Sequence, residues 1–484
     1  MVNKEVKYHE WKGVVTAKKL LESYKENIIV YFDPDVDGMV SGYLVCKYLS
    51  LNGKSFQWFV NKDRKHDWSI PIEKVSGCNV VAVDFMIPEG IVEDLVKSGC
   101  NIVSMDHHIN QADFIDVCHG ESRGIVINNQ YPFEEEDGRF LSGAGVVFET
   151  LRLLDSRMDT VENRALVGLT LLSDVCDIEN SIARGYLYDL YNHKMKGFIG
   201  YLIKNTLGEI DYGFGVPRMD RKYVDYTFSP AINSALRFNA QDDIVEFFLG
   251  SGKLDLGYHK RQKVLVKAMQ DIAVVKEFPN LRVVYIRDWE LDSSEDLSVI
   301  PNFIGLLASR FLDGEKSVIA YNIYRDSSGM HLGRASFRGN INGIDYLSLL
   351  NTLLVGVGHP SAFGILDMKP SKALFIQASE LCKKAEGLSS NKKSIAEAFN
   401  LSLFVKRNGD SFAEYNMYCL AQNSKYIRYK GKNIKVLREG AAFRKYIVDG
   451  IEITSFNLSL DFDSGLIYPI MERGYVYYYL QDGN

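Results

Sequence analysis

The sequence predicts an α/β protein built on a parallel sheet, followed by a helical connector, a smaller α/β region and a mostly β tail. Three observations predict it. Short β-branched runs alternate with helical patterns over the first third of the chain, and such alternation implies a parallel sheet covered on both faces. A second alternating stretch begins near residue 281. Beyond residue 395 the chain is rich in Tyr, Ile and Val in short runs, as in a small β domain.

NIIVYF (27–32) reads as a buried strand and GMVSGYLVCKYLSLNG (38–53) as a helix closed by Gly53. NVVAVDF (79–85) and NIVSMD (101–106) read as further strands, with PEGIVEDLVKSG (88–99) as the helix between them and GIVINN (124–129) as another strand. From 141 to 176 the pattern turns helical in GAGVVFETLRLL and TVENRALVGLTLLSDV. A connecting helix is expected within VEFFLGSGKLDLGYHKRQKVLVKAMQDIAVVKEF. The second α/β stretch holds the strand-like RVVYI and SVIAYNIY, the helix-like PNFIGLLASRFL and the glycine-rich GVGHPSAFG; SSNKK (389–393) reads as a linker. Domain boundaries are expected at 1–190, 191–280, 281–388 and 395–484.

A net charge of −6 counts against an extended basic surface for duplex nucleic acid, though acidic metal ligands can offset a local basic groove. Seven scattered cysteines, none in a C-x-x-C pair, argue for a reducing compartment and against a disulfide framework or a cysteine-bound zinc. The polar start MVNKEVKYHEWKG has no signal-peptide core, and no run of about 18 apolar residues occurs. A cytoplasmic protein without a membrane partner is expected.

Three acidic clusters each follow a buried apolar run: Asp33, Asp35 and Asp37 after NIIVYF, Asp84 after NVVAV, and Asp106, His107 and His108 after NIVSM. Parallel strands point the same way, so these residues converge on one edge, where α/β proteins place their sites. An Asp after a strand is commonly a helix N-cap or a turn residue, and DPDVDG also resembles the start of a calcium loop. Position 44, however, is Leu where an EF-hand needs Glu. Carboxylates packed together raise one another's pKa and stay ionised only when cations neutralise them. Carboxylates with imidazole suit manganese, with magnesium or zinc as alternatives. Two such ions about 3.5–4 Å apart clamp the attacking and leaving oxygens of a phosphoryl transfer.

Asp106-His107-His108, DPDVDG, VVAVDF and LLSDVCDIEN together resemble the motifs of the DHH phosphoesterase superfamily. The resemblance implies a DHH catalytic domain followed by a DHH-associated domain. It implies two divalent ions, Mn2+ preferred and Mg2+ possible. Asp33, Asp35 and Asp84 would hold one; Asp37, Asp84, His107 and Asp174 would hold the other, with Asp84 as the bridge. His108 would face the scissile phosphate and Asp106 would orient a histidine.

Many relatives, among them family II pyrophosphatases and cyclic-dinucleotide phosphodiesterases, carry a histidine where this chain has Tyr31. RecJ-type exonucleases use an Asp where it has Asp33. LSGAGVVFE, FSPAINSALRFNA, IPNFIGLLASRF, GRASFRG and GVGHPSAFG are similar to further RecJ-type segments. They imply substrate contacts at Asn233, Arg237, Arg310, Arg334, Arg338, Gly356, Gly358 and His359: glycines to let backbone N–H groups approach a phosphate, arginines to pair with it. Leu236 and Val357 depart from the glycines of those patterns. The function implied is exonucleolytic hydrolysis of single-stranded DNA from the 5′ end. Cleavage of short oligonucleotides or cyclic nucleotides is a second expectation, and a non-catalytic replication scaffold a third.

Overall fold

The computed structural model of the chain describes residues 13–61, 68–84, 87–108, 115–129, 141–174, 176, 181–193, 196–206, 219, 223–278, 281–292, 297–312, 316–327, 329–339, 355–359 and 362–366. Beyond these it describes the strands within 427–481. The described residues form two compact units. The first extends to Leu236 and includes Gln241–Leu254 and the strands after residue 426; the second comprises Arg237–Ala240 and the residues from Asp255 to 366.

The first unit opens with α1 (Val14–Ser23), β1 (Ile28–Phe32), α2 (Val36–Leu51), β2 (Phe56–Val60), β3 (Asn79–Val83), α3 (Glu89–Lys97), β4 (Asn101–Asp106), β5 (Asp116–His119) and β6 (Ser122–Asn128). The sheet order is β2-β1-β3-β4-β6-β5, with every pairing parallel except the β5–β6 edge. β1 is buried at every position, which is why it reads as an unbroken apolar run rather than an alternating one. One face packs Ile29, Tyr31, Val80, Ala82, Ile102 and Val126 against Val92, Leu95 and Val96 of α3. Each such fully buried Val, Ile or Leu contributes roughly 1.5–3 kcal/mol. The strand order reverses at β1, so the crevice beyond the ends of β1 and β3 is the topological switch point where open sheets hold their ligands.

Helices α4 (Gly143–Leu154), α5 (Val161–Ser173), α6 (Ser181–Asn192) and α7 (Gly197–Thr206) follow, capped by Ser142 at α4 and Thr160 at α5. Then come α8 (Ser229–Arg237) and α9 (Gln241–Phe248). The expected connecting helix is two: α9 ends at Phe248, and α10 spans Gly257–Ile272. The break holds Gly250 in the left-handed region and Gly252, residues that favour termination.

The second unit contains α10, a helix α11 (Ile304–Arg310) and a sheet ordered β11-β12-β10-β9-β8-β7. Its strands are β7 (Val274–Glu277), β8 (Leu281–Arg287), β9 (Ser317–Asp326), β10 (Gly329–Arg338), β11 (Val355–His359) and β12 (Ala362–Leu366). Only β8–β9 is parallel among these pairings. A core of Leu265, Val266 and Met269 from α10 with Val284, Ile286, Phe303, Ile304 and Leu307 joins helices to sheet.

The tail forms a third sheet of six described strands: β13 (Ile427–Tyr429), β14 (Ile434–Glu439), β15 (Arg444–Val448), β16 (Ile451–Ser455), β17 (Gly465–Glu472) and β18 (Tyr475–Gln481). The overall class is therefore α/β with a parallel sheet, many helices and two further sheets. The proposed linker at 389–393 lies outside the described residues. Among the described residues no helix is long and apolar enough to cross a membrane.

Candidate metal centre

Asp33 follows β1 directly and is buried. Asp35 is the N-cap of α2, its Oδ1 accepting a hydrogen bond from Gly38 N at 2.9 Å. The capping role weighed for this motif is thus real, and it leaves the second oxygen available. Gly38 is required by packing: a Cβ there would lie 2.4 Å from Asp33 O, so only glycine lets α2 begin this close to the end of β1. Asp37 is buried in the first turn of α2. Its two oxygens accept from Gly143 N at 2.6 Å and Ala144 N at 2.9 Å, the first amides of α4. A helix N-terminus favours a carboxylate there.

Asp84 leaves β3 with φ of 61°, in the left-handed region that costs a non-glycine residue about 1–2 kcal/mol. Its N–H still reaches Met105 O at 3.0 Å, so the ladder continues while the side chain is turned into the cluster. Asp84 Oδ1 is buried and receives no hydrogen bond. His107, just past β4, places Nε2 at 3.3 Å from Asp84 Oδ1, 3.7 Å from Asp37 Oδ2 and 3.6 Å from Asp174 Oδ2. Asp174 caps the C-terminal end of α5. Residues from β1, α2, β3, β4 and α5, up to 141 positions apart, therefore meet at the switch point.

Burial and mutual repulsion set the protonation of the cluster. Burial, then the charges of Asp37, Asp35, Asp33 and Asp174, push Asp84 well above the usual carboxylate range. Burial and Asp37, with Asp35 behind it, raise Asp174 to about 6 against the opposing pull of His107 and His108. A buried oxygen without a donor, among mutually repelling carboxylates and an imidazole, is chemistry that suits a divalent cation. Asp84, His107 and His108 offer donor atoms within 4.8 Å of one another, and so do His107, Asp174 and Cys176.

His108 is held differently. Its Nδ1 donates to Asp106 Oδ1 at 2.8 Å, and Asn128 Nδ2 donates to the His108 carbonyl at 2.8 Å. Burial alone would lower the His108 pKa, but Asp106, with Asp174 and Asp35, raises it to about 9. Burial would raise Asp106, yet the charge and hydrogen bond of His108, then His107, bring it below its ordinary value.

Asn61 carries no signal in the sequence. It is fully buried at the end of β2, and its N–H reaches Phe32 O at 2.8 Å. Asn61 Nδ2 reaches Asp33 Oδ1 at 3.4 Å, while its Oδ1 accepts from Tyr31 at 3.0 Å and from Ser69 at 3.2 Å. Tyr31 is therefore engaged beneath the centre, holding the residue that holds Asp33.

The second unit gathers cations. Arg237, at the end of α8, donates from Nη1 to Gln262 Oε1 at 3.0 Å; burial and then the charge of Arg338 lower its pKa to about 10. Arg338 donates to Ser336 Oγ at 2.8 Å, and burial and then Arg334 lower its pKa. Cations this close to one another suit an anion. Arg334 and Arg310 are exposed, and Asn233 is half-buried on α8. Gly356, Gly358 and His359, expected to approach a phosphate, lie in β11, where Gly358 pairs with Phe363 and His359 with Ala362. Apolar residues alternating with the glycines, and the matching run AFGIL, favour a ladder over a turn. His359 shares its cross-strand row with Ala362 and Arg338; its side chain lies outside the described residues.

A parallel sheet whose strand ends deliver Asp, Asp and Asp-His-His to a switch point is the arrangement that the DHH resemblance implies. Residues 27–172 match the DHH family, N-terminal domain. The chain has a RecJ-like fold, and its family match is confined to that stretch. It superposes on the crystal structure of RecJ from Thermus thermophilus in complex with Mn2+ with a TM-score of 0.67 and 18% identity, covering 98% of this chain and 72% of that one. The complex of RecJ from the same organism with Mg2+ gives 0.64 and 17%, covering 98% and 70%. Exonuclease RecJ bound to manganese gives 0.54 and 19%, covering 80% and 97%. At these identities the likeness is one of fold. No curated protein gives a significant sequence match.

Proposed function

We propose that the protein is a metal-dependent exonuclease that hydrolyses phosphodiester bonds of single-stranded DNA from the 5′ end, with Mn2+ preferred and Mg2+ accepted. The observation that carries the reading is the meeting of His107 Nε2 with carboxylate oxygens of Asp37, Asp84 and Asp174, each within 3.7 Å. The manganese and magnesium complexes of RecJ among the structures of this fold support it. Engagement of Tyr31 by Asn61 and Ser69 supports the branch that relies on Asp33 rather than on a histidine at position 31.

Asp33, Asp35 and Asp84 would hold one ion, and Asp37, Asp84, His107 and Asp174 the other, with Asp84 shared. Bound ions supply a water activated near neutral pH and positive charge against the phosphate. The α4 amides hold Asp37 in place, and Asn61 holds Asp33. His108, fixed by Asp106, would donate to a phosphate oxygen. In the second unit, Arg237 and Arg338 would pair with a phosphate.

The test is to incubate the protein and Mn2+ with single-stranded DNA labelled at either end, beside duplex DNA, RNA and a cyclic dinucleotide. Stepwise release from the 5′ end, abolished by Asp84→Ala and His107→Ala, is expected. Cleavage of the cyclic dinucleotide alone, or undiminished cleavage by both variants, overturns the reading.

A further inference from the structure

The centre contains one donor that a carboxylate-and-imidazole scheme does not use. Cys176 stands two residues beyond Asp174, its N–H held by Leu171 O at 3.0 Å. Its Sγ lies 3.5 Å from Asp174 Oδ2, and Asp174 Oδ2 lies 3.6 Å from His107 Nε2. The three donor atoms all fall within 4.8 Å of one another. A single ion bound to sulfur at about 2.3 Å and to nitrogen or oxygen at about 2.0–2.2 Å separates tetrahedral donors by roughly 3.3–3.6 Å. Two pairs already have such separations, and rotation of the Asp174 and Cys176 side chains adjusts the third. A cysteine packed as a small hydrophobe would have its sulfur against apolar neighbours. This one faces a carboxylate at the rim of the cluster and is only partly buried.

We propose that Cys176 is a further metal ligand, forming with His107 and Asp174 a sulfur–nitrogen–oxygen set that takes Zn2+ in preference to Mn2+. The inference rests on the metal-centre reading above. Carboxylate and imidazole donors already bind Zn2+ more tightly than Mn2+, and a thiolate widens that preference. The metal–sulfur bond forms as the S–H bond breaks, and the proton passes to solvent; no electrons are transferred. Because His107 and Asp174 belong to both sets, Zn2+ and Mn2+ compete, and zinc displaces manganese from this side of the centre.

The experiment uses the full chain freed of metal with a chelator, titrated with Co2+ as a spectroscopic substitute for zinc. A sulfur-to-cobalt charge-transfer absorption is expected in the parent protein and is absent from both Cys176→Ser and Cys176→Ala. Competition with a chromophoric chelator should show Zn2+ affinity falling about 10-fold or more in Cys176→Ala while Mn2+ affinity holds within about twofold. A cobalt complex without the sulfur band, or a band that survives Cys176→Ala, overturns the proposal. If Mn2+ still binds in that case and His107→Ala abolishes it, the metal centre stands and Cys176 alone is excluded. Failure of Mn2+, Co2+ and Zn2+ all to bind overturns both readings.

Discussion

Gly143→Ala probes the geometry of the centre without altering a donor atom. A Cβ at Gly143 would lie 2.4 Å from Asp84 Oδ1, whereas ordinary contact begins at 3.4 Å. Either the carboxylate or the start of α4 must move by about 1 Å, against a tolerance of about 0.2 Å in metal–ligand distances. Moving α4 also pulls the Gly143 and Ala144 amides from Asp37, so both routes disturb a donor. A fall in Mn2+ affinity of about 10–100-fold is expected, the range typical of changes to groups that orient ligands. Gly185→Ala in α6 is the control: nothing lies within 4 Å of a Cβ there, so it should gain about 0.5–1 kcal/mol in helix stability and bind Mn2+ unchanged. Calorimetric Mn2+ titration reads the affinity, and far-ultraviolet circular dichroism checks the fold. A folded Gly143→Ala protein with parental affinity would refute the proposed approach of α4 to Asp84.

Three further outcomes are expected. Asn61→Ala should release Asp33 and strip Tyr31 of a buried partner, costing about 1–3 kcal/mol in denaturant unfolding and weakening Mn2+ binding in calorimetry. Asp174, raised to about 6, and Asp84, raised well above the ordinary carboxylate range, must both lose their protons to bind metal, so apparent Mn2+ affinity should fall as the pH drops through about 6. Below it, affinity should fall about tenfold per pH unit for each proton displaced; an unchanged affinity near pH 5 contradicts this. Arg237→Met should weaken binding of single-stranded DNA and flatten its salt dependence while Mn2+ titration is unaffected, and a loss of Mn2+ binding would show that Arg237 serves the fold instead.

The parallel sheet was legible because its strands are buried on both faces. Ile28–Phe32, Asn79–Val83 and Asn101–Asp106 read as apolar runs, and an acid at the end of each is conspicuous. Asp174 was visible only through its motif, since nothing in the chain links it to β1. Asn61 was not legible: a lone amide after the half-exposed β2 has no pattern, and its meaning lies in Tyr31, 30 residues earlier. Cys176 was read with the other cysteines as scattered, because its partner His107 is remote in sequence. GVGHP read only as glycine-rich, and its pairing with β12 makes it a strand. Gln262 and Ser336, which accept from Arg237 and Arg338, lie in segments whose polar residues look like ordinary surface.

The cap of α5 lies just outside the stretch that matches the family, which stops at residue 172. A fragment trimmed to that boundary would keep β1, β3, β4 and their acids yet forfeit both Asp174 and Cys176. Such a fragment would be an incomplete chelator, and its failure to capture an ion would reveal nothing about the intact chain. Dissection of this protein into parts has to respect where the donors end, not where the recognisable pattern does.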